Sequence, residues 1–459
     1  MPVAEASDVL FGLDAEALTA LREARLAATL DRVFAAHPYY RRVLADAGLA
    51  RSDLATLADL RRLPVTTKAD YIGNPASFQL GPEGAADDEE TLVWDIMYTT
   101  GSSATPTPFV STAYDFLNIL ALNRNMLRLR GVTAADSILN LFPLTKYPHG
   151  AFARVLHAAS AFNIPVVSAM PGRESKRRPE LNNSVDQIAA LAARVRPTIL
   201  WGVPSYIRRL IGRAEELGVQ LASVRLVFVT GEGFGDEARA DLIQRLKRLG
   251  APAPWISVSY GATEMQGGLV ECAHGSGYHN PAPDQFLFEA VDPDTRQPVA
   301  DGDEGLILLT HLDRRGTVML RYALGDVARL TREKCPHCGA LTERIVSMPR
   351  RVDDLVKIKG MLVNPQALVD AVLGEPGLLD FQAIVDKEDP GDPLSMDRLR
   401  IRVVPAAGAG AGLERILAAR VQQAIGVTPT VERTAADDPL LAGRGWKVRP
   451  LLDLRKPRT

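Results

Sequence analysis

Tyr98-Thr99-Thr100-Gly101-Ser102-Ser103-Ala104-Thr105-Pro106-Thr107 follows a short apolar run, residues 92–97, that is typical of a buried strand. Its hydroxyl side chains surround one glycine, so the stretch predicts a turn that offers backbone N–H and side-chain O–H donors to an anion. A polyphosphate is the ligand that suits such a turn, although most hydroxyl-rich turns are ordinary surface loops. No Lys-Ser or Lys-Thr pair closes the turn, which argues against a Walker-type GTPase or kinase. Features downstream have to decide between these two interpretations.

Length and composition restrict the class of protein. The chain has 459 residues, more than one hydrophobic core usually organises, so we expect two or more domains. A formal charge of −2 and the lack of Lys or Arg runs argue against nucleic acid as a partner. No apolar run approaches the ~20 residues that a membrane span requires, and the acidic first residues do not resemble a signal peptide. We therefore expect a cytoplasmic protein with no membrane partner.

Short apolar strands alternate with amphipathic helices in the first part of the chain. The strands are predicted near 138–142, 164–167, 198–201 and 226–230, and the helices near 115–129, 184–195, 205–217 and 236–249. This alternation is typical of parallel sheets with helices on their faces, whose ligands lie at the carboxyl ends of the strands. Gly202 and the stretch Gly231-Glu232-Gly233 follow such ends, and bare glycine backbone there lets a planar ring approach.

The pattern becomes shorter and richer in strands after about residue 255. Strands are expected near 285–291, 304–309, 381–386 and 398–404, and a helix near 413–425. We predict an α/β fold with a large N-terminal domain of parallel-rich sheets flanked by helices, residues 1–352. A small mobile α+β C-terminal lid domain follows, residues 353–459.

Four further motifs follow the hydroxyl-rich stretch in a definite order. They are Tyr260-Gly261-Ala262-Thr263-Glu264, residues 321–326, residues 350–360, and Lys447 with Asp453 beyond it. Each is modest alone, since a Gly-Asp or Asp-Asp pair is usually a turn. Together they resemble the adenylate-forming superfamily of acyl-CoA synthetases, peptide-synthetase adenylation domains and luciferases. The closer resemblance is to the phenylacetate-CoA ligase branch, and it rests also on residues 39–41, 63–68, 204–206, 271–272 and 279.

The resemblance implies ATP binding, with a role for each motif. The hydroxyl-rich stretch matches the loop around the β- and γ-phosphates, which here has the residues Thr99, Thr100, Gly101, Ser102, Ser103 and Thr105. Gly231-Glu232-Gly233 matches the segment that lies against adenine, and Tyr260 with Gly261 matches the residues that flank or stack on it. Asp326 and Arg351 match the pair that hydrogen-bonds the ribose hydroxyls.

The resemblance also implies the catalytic groups. Glu264, preceded by Thr263, matches the carboxylate that holds Mg²⁺ between the phosphates, as suits a hard cation. Lys447 matches the mobile catalytic lysine, and Asp353 matches the hinge about which the lid swings. Attack of a carboxylate on the α-phosphate brings two anions together, so Mg²⁺ and an ammonium have to neutralise the developing charge. A second half-reaction needs the lysine withdrawn, which explains the hinge.

The sequence departs from the family pattern in two places. Ala104 and Thr105 stand where the family usually carries Gly and Lys, which removes one phosphate contact and stiffens the turn. The tail motif is a loose match, in which Lys447 is placed by its spacing to Asp453 and the alternatives are Arg444 and Arg449.

The cysteines predict a zinc site. Cys335 and Cys338 form a Cys-x-x-Cys knuckle of the kind that offers two thiolates to zinc, and Cys272 precedes His274 and His279. An odd number of cysteines rules out a disulfide framework, while buried thiols without a metal remain the alternative. Some relatives in the phenylacetate-CoA ligase branch are similar here, and for that reason His279 is the expected fourth ligand of a closed, structural Zn²⁺ site.

The predicted function is ATP-dependent activation of a carboxylic acid as its acyl-adenylate, followed by transfer to coenzyme A. An aromatic acid and a homodimer are favoured only by the resemblance to the branch. The pocket is expected to be walled by Tyr147, His149, Phe152, Trp201 and Gly202. Transfer to a carrier protein or an amine, or adenylation of a non-carboxylate oxyacid, would need the same motifs. A non-catalytic ligand-binding relative is the alternative from another class, favoured by the altered Ala104-Thr105 loop.

Overall fold

The computed structural model describes residues 11–81, 90–99, 106–145, 147–172, 182–351, 356–359, 361–375, 377–389, 392, 395–406, 408–435, 438–442 and 451–455. The chain forms two compact units, which are described separately. Unit 1 comprises residues 1–135, 145–164 and 259–351, and unit 2 comprises residues 136–144, 165–258 and 352–459.

Most of the helices begin at a residue that can cap them. In chain order they are α1 (Ala15–Ala36), α2 (Pro38–Asp46), α3 (Lys68–Gly73), α4 (Ala113–Leu129), α5 (Gly150–Phe162), α6 (Val185–Val195), α7 (Pro204–Leu217), α8 (Asp236–Arg248), α9 (Pro365–Leu373), α10 (Leu413–Ile425) and α11 (Pro439–Ala442). Short 3₁₀ turns cover Arg51–Asp53, Leu57–Arg62, Pro75–Phe78 and Thr263–Met265. Thr67, Thr112 and Ser184 close capping boxes at the starts of α3, α4 and α6. No helix among the described residues is long and apolar enough to cross a membrane.

The predicted strands form close to their apolar runs, and the structure adds further strands between them. In chain order the strands are β1 (Val93–Tyr98), β2 (Pro108–Thr112), β3 (Ile138–Asn140), β4 (Val166–Ser168), β5 (Ile199–Gly202), β6 (Leu226–Thr230), β7 (Trp255–Ala262), β8 (Gly267–Val270), β9 (Tyr278–His279), β10 (Phe286–Val291), β11 (Glu304–His311), β12 (Tyr322–Thr331), β13 (Arg344–Ile345), β14 (Arg350–Arg351), β15 (Val356–Ile358), β16 (Met361–Val363), β17 (Leu378–Lys387), β18 (Asp397–Pro405), β19 (Thr430–Arg433) and β20 (Leu451–Asp453). The run at 92–97 forms a strand, but Val93, Trp94 and Ile96 are exposed, so the prediction of a buried strand there is wrong. The sequence pattern does not predict α5 and α9, which carry few charged residues to mark a polar face.

Unit 1 is built mainly from antiparallel strands. Its sheet runs in the order β10-β11-β12-β13-β9-β8-β7, and β14 pairs with β12. Helix α1 is joined to the rest of the unit by buried polar contacts: the Thr29 hydroxyl donates to the Leu312 carbonyl (2.7 Å), and Arg22 pairs with Glu343 (2.7 Å). Strands β1 and β2 pair antiparallel, so the hydroxyl-rich stretch connects the two strands of a hairpin.

Unit 2 contains the predicted parallel strands. β4, β3, β5 and β6 are neighbours in that order and pair parallel, which confirms the α/β fold expected from the alternation. The carboxyl ends of β5 and β6 pair Gly202 with Val229, so Gly202 and Gly231 lie near the same edge of this sheet.

Residues 356–455 of unit 2 carry a second sheet with its own core. Its strand order is β19-β18-β17-β20, and apolar side chains of α9 and α10, including Leu368 and Leu417, are buried in one cluster with Ile401. Strands β17 and β18 and helix α10 match the predicted α+β elements. Unit 2 also contains residues 136–144 and 165–258, so the division into 1–352 and 353–459 stays a prediction.

His37 links α1 to α2 in the interior of unit 1. Its Nδ1 accepts a hydrogen bond from the Tyr40 backbone N–H (3.1 Å), which leaves the ring proton on Nε2, 3.3 Å from the Val318 carbonyl oxygen. Burial lowers the pKa of His37 from 6.5 to about 4. The folded protein therefore holds this ring neutral.

Acidification should destabilise the fold through His37. Between the ordinary pKa of 6.5 and the folded value of about 4, the unfolded chain binds the proton first, so stability is lost as the pH falls. At pH 5 the loss from this group is about 2 kcal/mol. Urea unfolding at pH 7 and pH 5 tests this with His37→Asn, which keeps an acceptor for the Tyr40 N–H but does not titrate. The variant should lose less stability on acidification, and equal losses would contradict the prediction.

Candidate active site

The turn after β7 places Glu264 between two strands of unit 1. Residues Thr263–Met265 form a single 3₁₀ turn, Gln266 follows with φ 58°, and β8 then returns antiparallel to β7. Gly268 is required for this return, because a Cβ there would lie 2.8 Å from the Tyr260 carbonyl oxygen. The local sequence thus folds the tip of a hairpin so that it presents a carboxylate.

The backbone of this turn is fixed by a buried histidine. His311 Nδ1 accepts the Met319 N–H (3.1 Å), so its Nε2 carries the proton and donates to the Glu264 carbonyl oxygen (3.1 Å). Burial lowers the pKa of His311 well below its usual value, so the ring keeps this neutral tautomer. Sequence reasoning misses His311, which lies 47 residues from Glu264 and outside every motif.

The Glu264 carboxyl is half-buried and can bind a cation. Burial raises its pKa, while the Lys68 ammonium and a hydrogen bond from the Tyr322 hydroxyl act in the opposite direction. A carboxylate in a partly dry place gains from a positive partner, and oxygen is the ligand that Mg²⁺ prefers. The carboxylate oxygens of Glu264 are therefore suitable ligands for a magnesium ion.

Tyr260, Asp326 and Arg351 lie together in unit 1. The Tyr260 hydroxyl donates to Asp326 Oδ2 (2.6 Å), and Arg351 Nη1 donates to the Leu324 carbonyl (2.9 Å) and lies 3.4 Å from Asp326 Oδ2. β12 and β14 create this arrangement by pairing Asp326 with Arg351 directly. Burial raises the pKa of Tyr260 well above 10, so its hydroxyl stays a donor. The group offers a carboxylate and a guanidinium to a polyhydroxylated ligand.

Only the base of the predicted phosphate loop lies within the described residues. The Thr99 N–H donates to the Thr107 carbonyl (3.0 Å), and the Thr107 N–H donates to Thr99 Oγ1 (3.1 Å). Outside the described residues are Thr100, Gly101, Ser102, Ser103 and Thr105, and also Asp353, Lys447, Arg444 and Arg449. Their assigned roles stay predictions.

Three predicted pocket residues belong to unit 1. The Tyr98 N–H donates to the Pro148 carbonyl (2.8 Å), and the rings of Tyr98 and Tyr147 lie 5.4 Å apart, so this segment is joined to β1. His149 is buried directly before α5, and Phe152 in its first turn is half-buried. The structure thus places Tyr147 beside the strand that leads into the hydroxyl-rich stretch, with His149 and Phe152 following at the start of α5.

The other two predicted pocket residues, Trp201 and Gly202, end β5 in unit 2. Trp201 is buried, with its ring edge-on to Phe228 at 5.3 Å. A Cβ on Gly202 would lie 2.9 Å from the Leu141 Cβ. Packing alone therefore accounts for the glycine at this position.

Gly231-Glu232-Gly233 forms a turn after β6 that is tied to α7. Glu232 accepts hydrogen bonds from the backbone N–H (3.0 Å) and the hydroxyl (2.9 Å) of Ser205, and Gly231 has φ 87°. A Cβ on Gly233 would overlap the Gln366 side chain, 2.0 Å away. A ring lying on this face of Gly233 would contact or displace the Gln366 amide.

A second candidate site in unit 1 gathers four metal-ligating side chains. The ligand atoms of Cys272, His279, Cys335 and Cys338 all lie within 4.8 Å of one another. The Sγ atoms of Cys272 and Cys335 are 3.8 Å apart, as are Cys338 Sγ and His279 Nε2. Hydrogen bonds, first from Cys272 and then from His279, lower the pKa of Cys338. The structure brings His279, rather than His274, to the three thiols.

Comparisons with known proteins give the family and the relatives that this chain resembles. A family model described as AMP-binding enzyme matches residues 20–322. Phenylacetate-coenzyme A ligase of Thermus thermophilus is 27% identical over 97% of this chain and 98% of the relative. The enzyme of the same name from Escherichia coli is 29% identical over 78% of this chain and 76% of the relative. A crystal structure of 2-hydroxyisobutyryl-CoA ligase in the postadenylation state superposes with a TM-score of 0.75 at 22% identity, covering 99% of this chain and 90% of that one.

Proposed function

The chain belongs to the AMP-binding enzyme family, as its motifs predict, and we propose that it activates a carboxylic acid with ATP and transfers the acyl group to coenzyme A. In the first step a carboxylate oxygen attacks the α-phosphorus, the bond to the β-phosphate breaks and pyrophosphate leaves. In the second step the thiolate of coenzyme A attacks the acyl carbon, and AMP leaves with the bridging oxygen. The arrangement of Tyr260, Asp326 and Arg351 beside the Glu264 turn is the observation that carries the proposal.

These three side chains suit the ribose of ATP. The Asp326 carboxylate can accept hydrogen bonds from ribose hydroxyls, and Arg351 stabilises its ionised form from 3.4 Å. Tyr260 presents an aromatic ring from β7, and its hydroxyl orients the same carboxylate at 2.6 Å. The nucleoside half of ATP would therefore lie at the junction of β7, β12 and β14.

Glu264 is the residue that would hold Mg²⁺. When bound, the ion neutralises phosphate charge as the α-phosphate is attacked. The His311 hydrogen bond and the Tyr322 hydroxyl orient the turn and the carboxylate, so little reorganisation is needed when the ion arrives. For the ammonium at the α-phosphate we propose Lys447, with Asp353 as the hinge of the lid, on the resemblance alone.

The acid is proposed to be aromatic because the relatives from Thermus thermophilus and Escherichia coli are phenylacetate-coenzyme A ligases. Tyr147 near β1 and Phe152 in the first turn of α5 supply aromatic surface of the kind that packs against such a ring. Coenzyme A is proposed as the acceptor because the same relatives are coenzyme A ligases. Transfer to a carrier protein or an amine would use the same Glu264 and Asp326, so these residues do not distinguish the acceptors. A homodimer stays a prediction.

We also propose a structural zinc ion at Cys272, His279, Cys335 and Cys338. Thiolates about 2.3 Å from a tetrahedral zinc lie about 3.8 Å apart, which is the separation of Cys272 and Cys335 and far longer than a disulfide bond. The Cys338 knuckle is closed by the Gly339 N–H, which donates to the Cys335 carbonyl (3.0 Å). Four protein ligands leave no open position, so the ion would stabilise the fold and take no part in catalysis.

Zinc should copurify with the protein at about one ion per chain. The expected consequence of removing it with a chelator, or of Cys338→Ser, is a lower melting temperature, because the free energy of metal binding contributes to the stability of the fold. Elemental analysis and thermal unfolding provide the measurements. The variant His274→Gln serves as the control and should keep both metal and stability. Metal-free protein whose melting temperature does not change on addition of chelator would contradict the proposed zinc site.

Replacing Glu264 by Gln should slow pyrophosphate release by ~10²-fold or more, since the variant keeps the shape of the side chain and loses its charge. Release should be measured over a panel of aromatic and aliphatic acids, with and without coenzyme A. Glu304→Gln removes an exposed carboxylate of the same unit, which pairs with Arg350, and should leave the rate unchanged. A loss below about tenfold, or ~1.4 kcal/mol, would refute the metal role of Glu264. Wild-type protein that releases no pyrophosphate with any acid would refute the proposed function.

A further inference from the structure

Arg154 lies buried on α5 and contacts two segments of the candidate site. Its guanidinium pairs with Asp95 on β1, with Nη1 2.7 Å from Oδ2 and Nη2 3.3 Å from Oδ1. Nη2 also donates to the amide oxygen of Gln266, which directly follows the Glu264 turn. The Arg154 and Asp95 side chains are only 5% and 14% exposed, so solvent screens this ion pair weakly.

A neighbouring histidine supports the position of the guanidinium. His157, one turn along α5, lies with Nδ1 2.9 Å from Arg154 Nη1. Burial and then the charge of Arg154 lower the pKa of His157 to about 4, so its neutral ring accepts this hydrogen bond. The guanidinium makes four hydrogen bonds, two of them to the Asp95 carboxylate, which suits the planar fork of an arginine, whereas a lysine ammonium has only three N–H donors.

Gln266 transmits this contact to the catalytic turn. Its side-chain Nε2 donates to the Thr263 carbonyl (2.7 Å), and its own N–H donates to the same oxygen (3.1 Å). Gln266 has φ 58°, a left-handed conformation that is unfavourable for a residue with a side chain. Such a conformation persists when surrounding contacts require it, and the buried amide between Arg154 and Thr263 supplies those contacts.

The contacts form a continuous chain from Asp95 through Arg154 and Gln266 to Thr263. One end lies on β1, three residues before Tyr98, where the strand leads into the hydroxyl-rich stretch. The other end is the carbonyl of the residue that precedes Glu264. Two segments with proposed contacts to the phosphates of ATP are thus attached to one arginine.

We propose that Arg154 is a positioning residue that, through Gln266, sets the place of the Glu264 carboxylate relative to strand β1. The inference rests on the proposed function, because it assigns Glu264 to magnesium and the hydroxyl-rich stretch to phosphate. It adds that the reaction requires Arg154 and Gln266, two residues that contact neither Mg²⁺ nor ATP. Displacement of the turn by about 1 Å is enough to cost ~10²-fold in rate.

Arg154→Met and Gln266→Gly test the chain of contacts. The methionine keeps apolar bulk without the charge, and the glycine adopts the left-handed backbone without strain while removing the amide. Each should lower kcat/KM for ATP by ~10²-fold and raise the Mg²⁺ concentration needed for half-maximal rate. The double variant should lose no more than the worse single variant, because both break the same chain.

Arg124→Met is the matched control. Arg124 is a half-buried arginine of α4 whose Nη1 donates to the Ala161 carbonyl (2.8 Å), at the far end of the same helix α5. Its loss disturbs α5 without touching the Glu264 turn. This variant should keep kcat/KM and the Mg²⁺ requirement of the wild type within about threefold, a difference below ~1 kcal/mol.

A binding measurement separates this inference from the proposed function. Calorimetric titration of ATP with and without Mg²⁺ needs no acid, and Mg²⁺ should tighten ATP binding in wild type and Arg124→Met. The increase in ATP affinity caused by Mg²⁺ should fall about tenfold or more in Arg154→Met and Gln266→Gly.

Three outcomes would contradict these proposals. Variants that keep the full Mg²⁺-dependent increase in ATP affinity and the wild-type kcat/KM, but melt at a lower temperature, would show that Arg154 is only structural and would overturn the inference. Additive losses in the double variant would overturn the chain through Gln266. ATP binding without acid-dependent pyrophosphate release in the wild type would instead refute the proposed function.

Discussion

The hydrogen bond from His311 to the Glu264 carbonyl is the constraint on which the candidate site depends. It holds the backbone of a three-residue turn that would otherwise expose its carbonyl groups, while Gln266 satisfies the carbonyl of Thr263. With both carbonyls bonded, the turn has little freedom, and the carboxylate of Glu264 stays half-buried at the tip of β7. A cation site needs this rigidity, since a carboxylate that had to be ordered at each turnover would stabilise the bound cation less.

The same strands that fix the turn assemble the proposed nucleotide site. β7 contributes Tyr260 and ends at the Glu264 turn, and β12 pairs with β14 to set Asp326 against Arg351. The antiparallel ladder therefore places a proposed metal ligand and a proposed ribose pair without using any flexible loop. Beside it, the Cys₃His group joins the β8–β9 connection to the residues between β12 and β13. The proposed zinc ion would stabilise the sheet that carries the proposed nucleotide site.

Patterns within the sequence predict the parallel strands of unit 2 well, because β3, β4, β5 and β6 are compact apolar runs that alternate with helices. The Cys-x-x-Cys knuckle also predicts a metal site, the resemblance to the branch selects His279 as its fourth ligand, and the structure brings these four side chains together. Contacts between distant residues leave no such pattern. Arg154 contacts Gln266 at a sequence separation of 112 residues, and His311 contacts Glu264 at a separation of 47 residues. Arg154 and His311 are each a single buried polar residue among mostly apolar neighbours. Only the three-dimensional packing identifies them as partners of the Glu264 turn.

The route of one oxygen atom tests the central claim, that the chain forms an acyl-adenylate, most directly. The carboxylic acid should be labelled with ¹⁸O in its carboxylate and turned over with ATP, Mg²⁺ and coenzyme A, and the products analysed by mass spectrometry. Attack of the carboxylate on the α-phosphate carries one labelled oxygen into AMP, and the account predicts labelled AMP together with unlabelled pyrophosphate. Unlabelled AMP, or ADP with labelled phosphate, would contradict it, because the acid would then have been activated in another way or not at all.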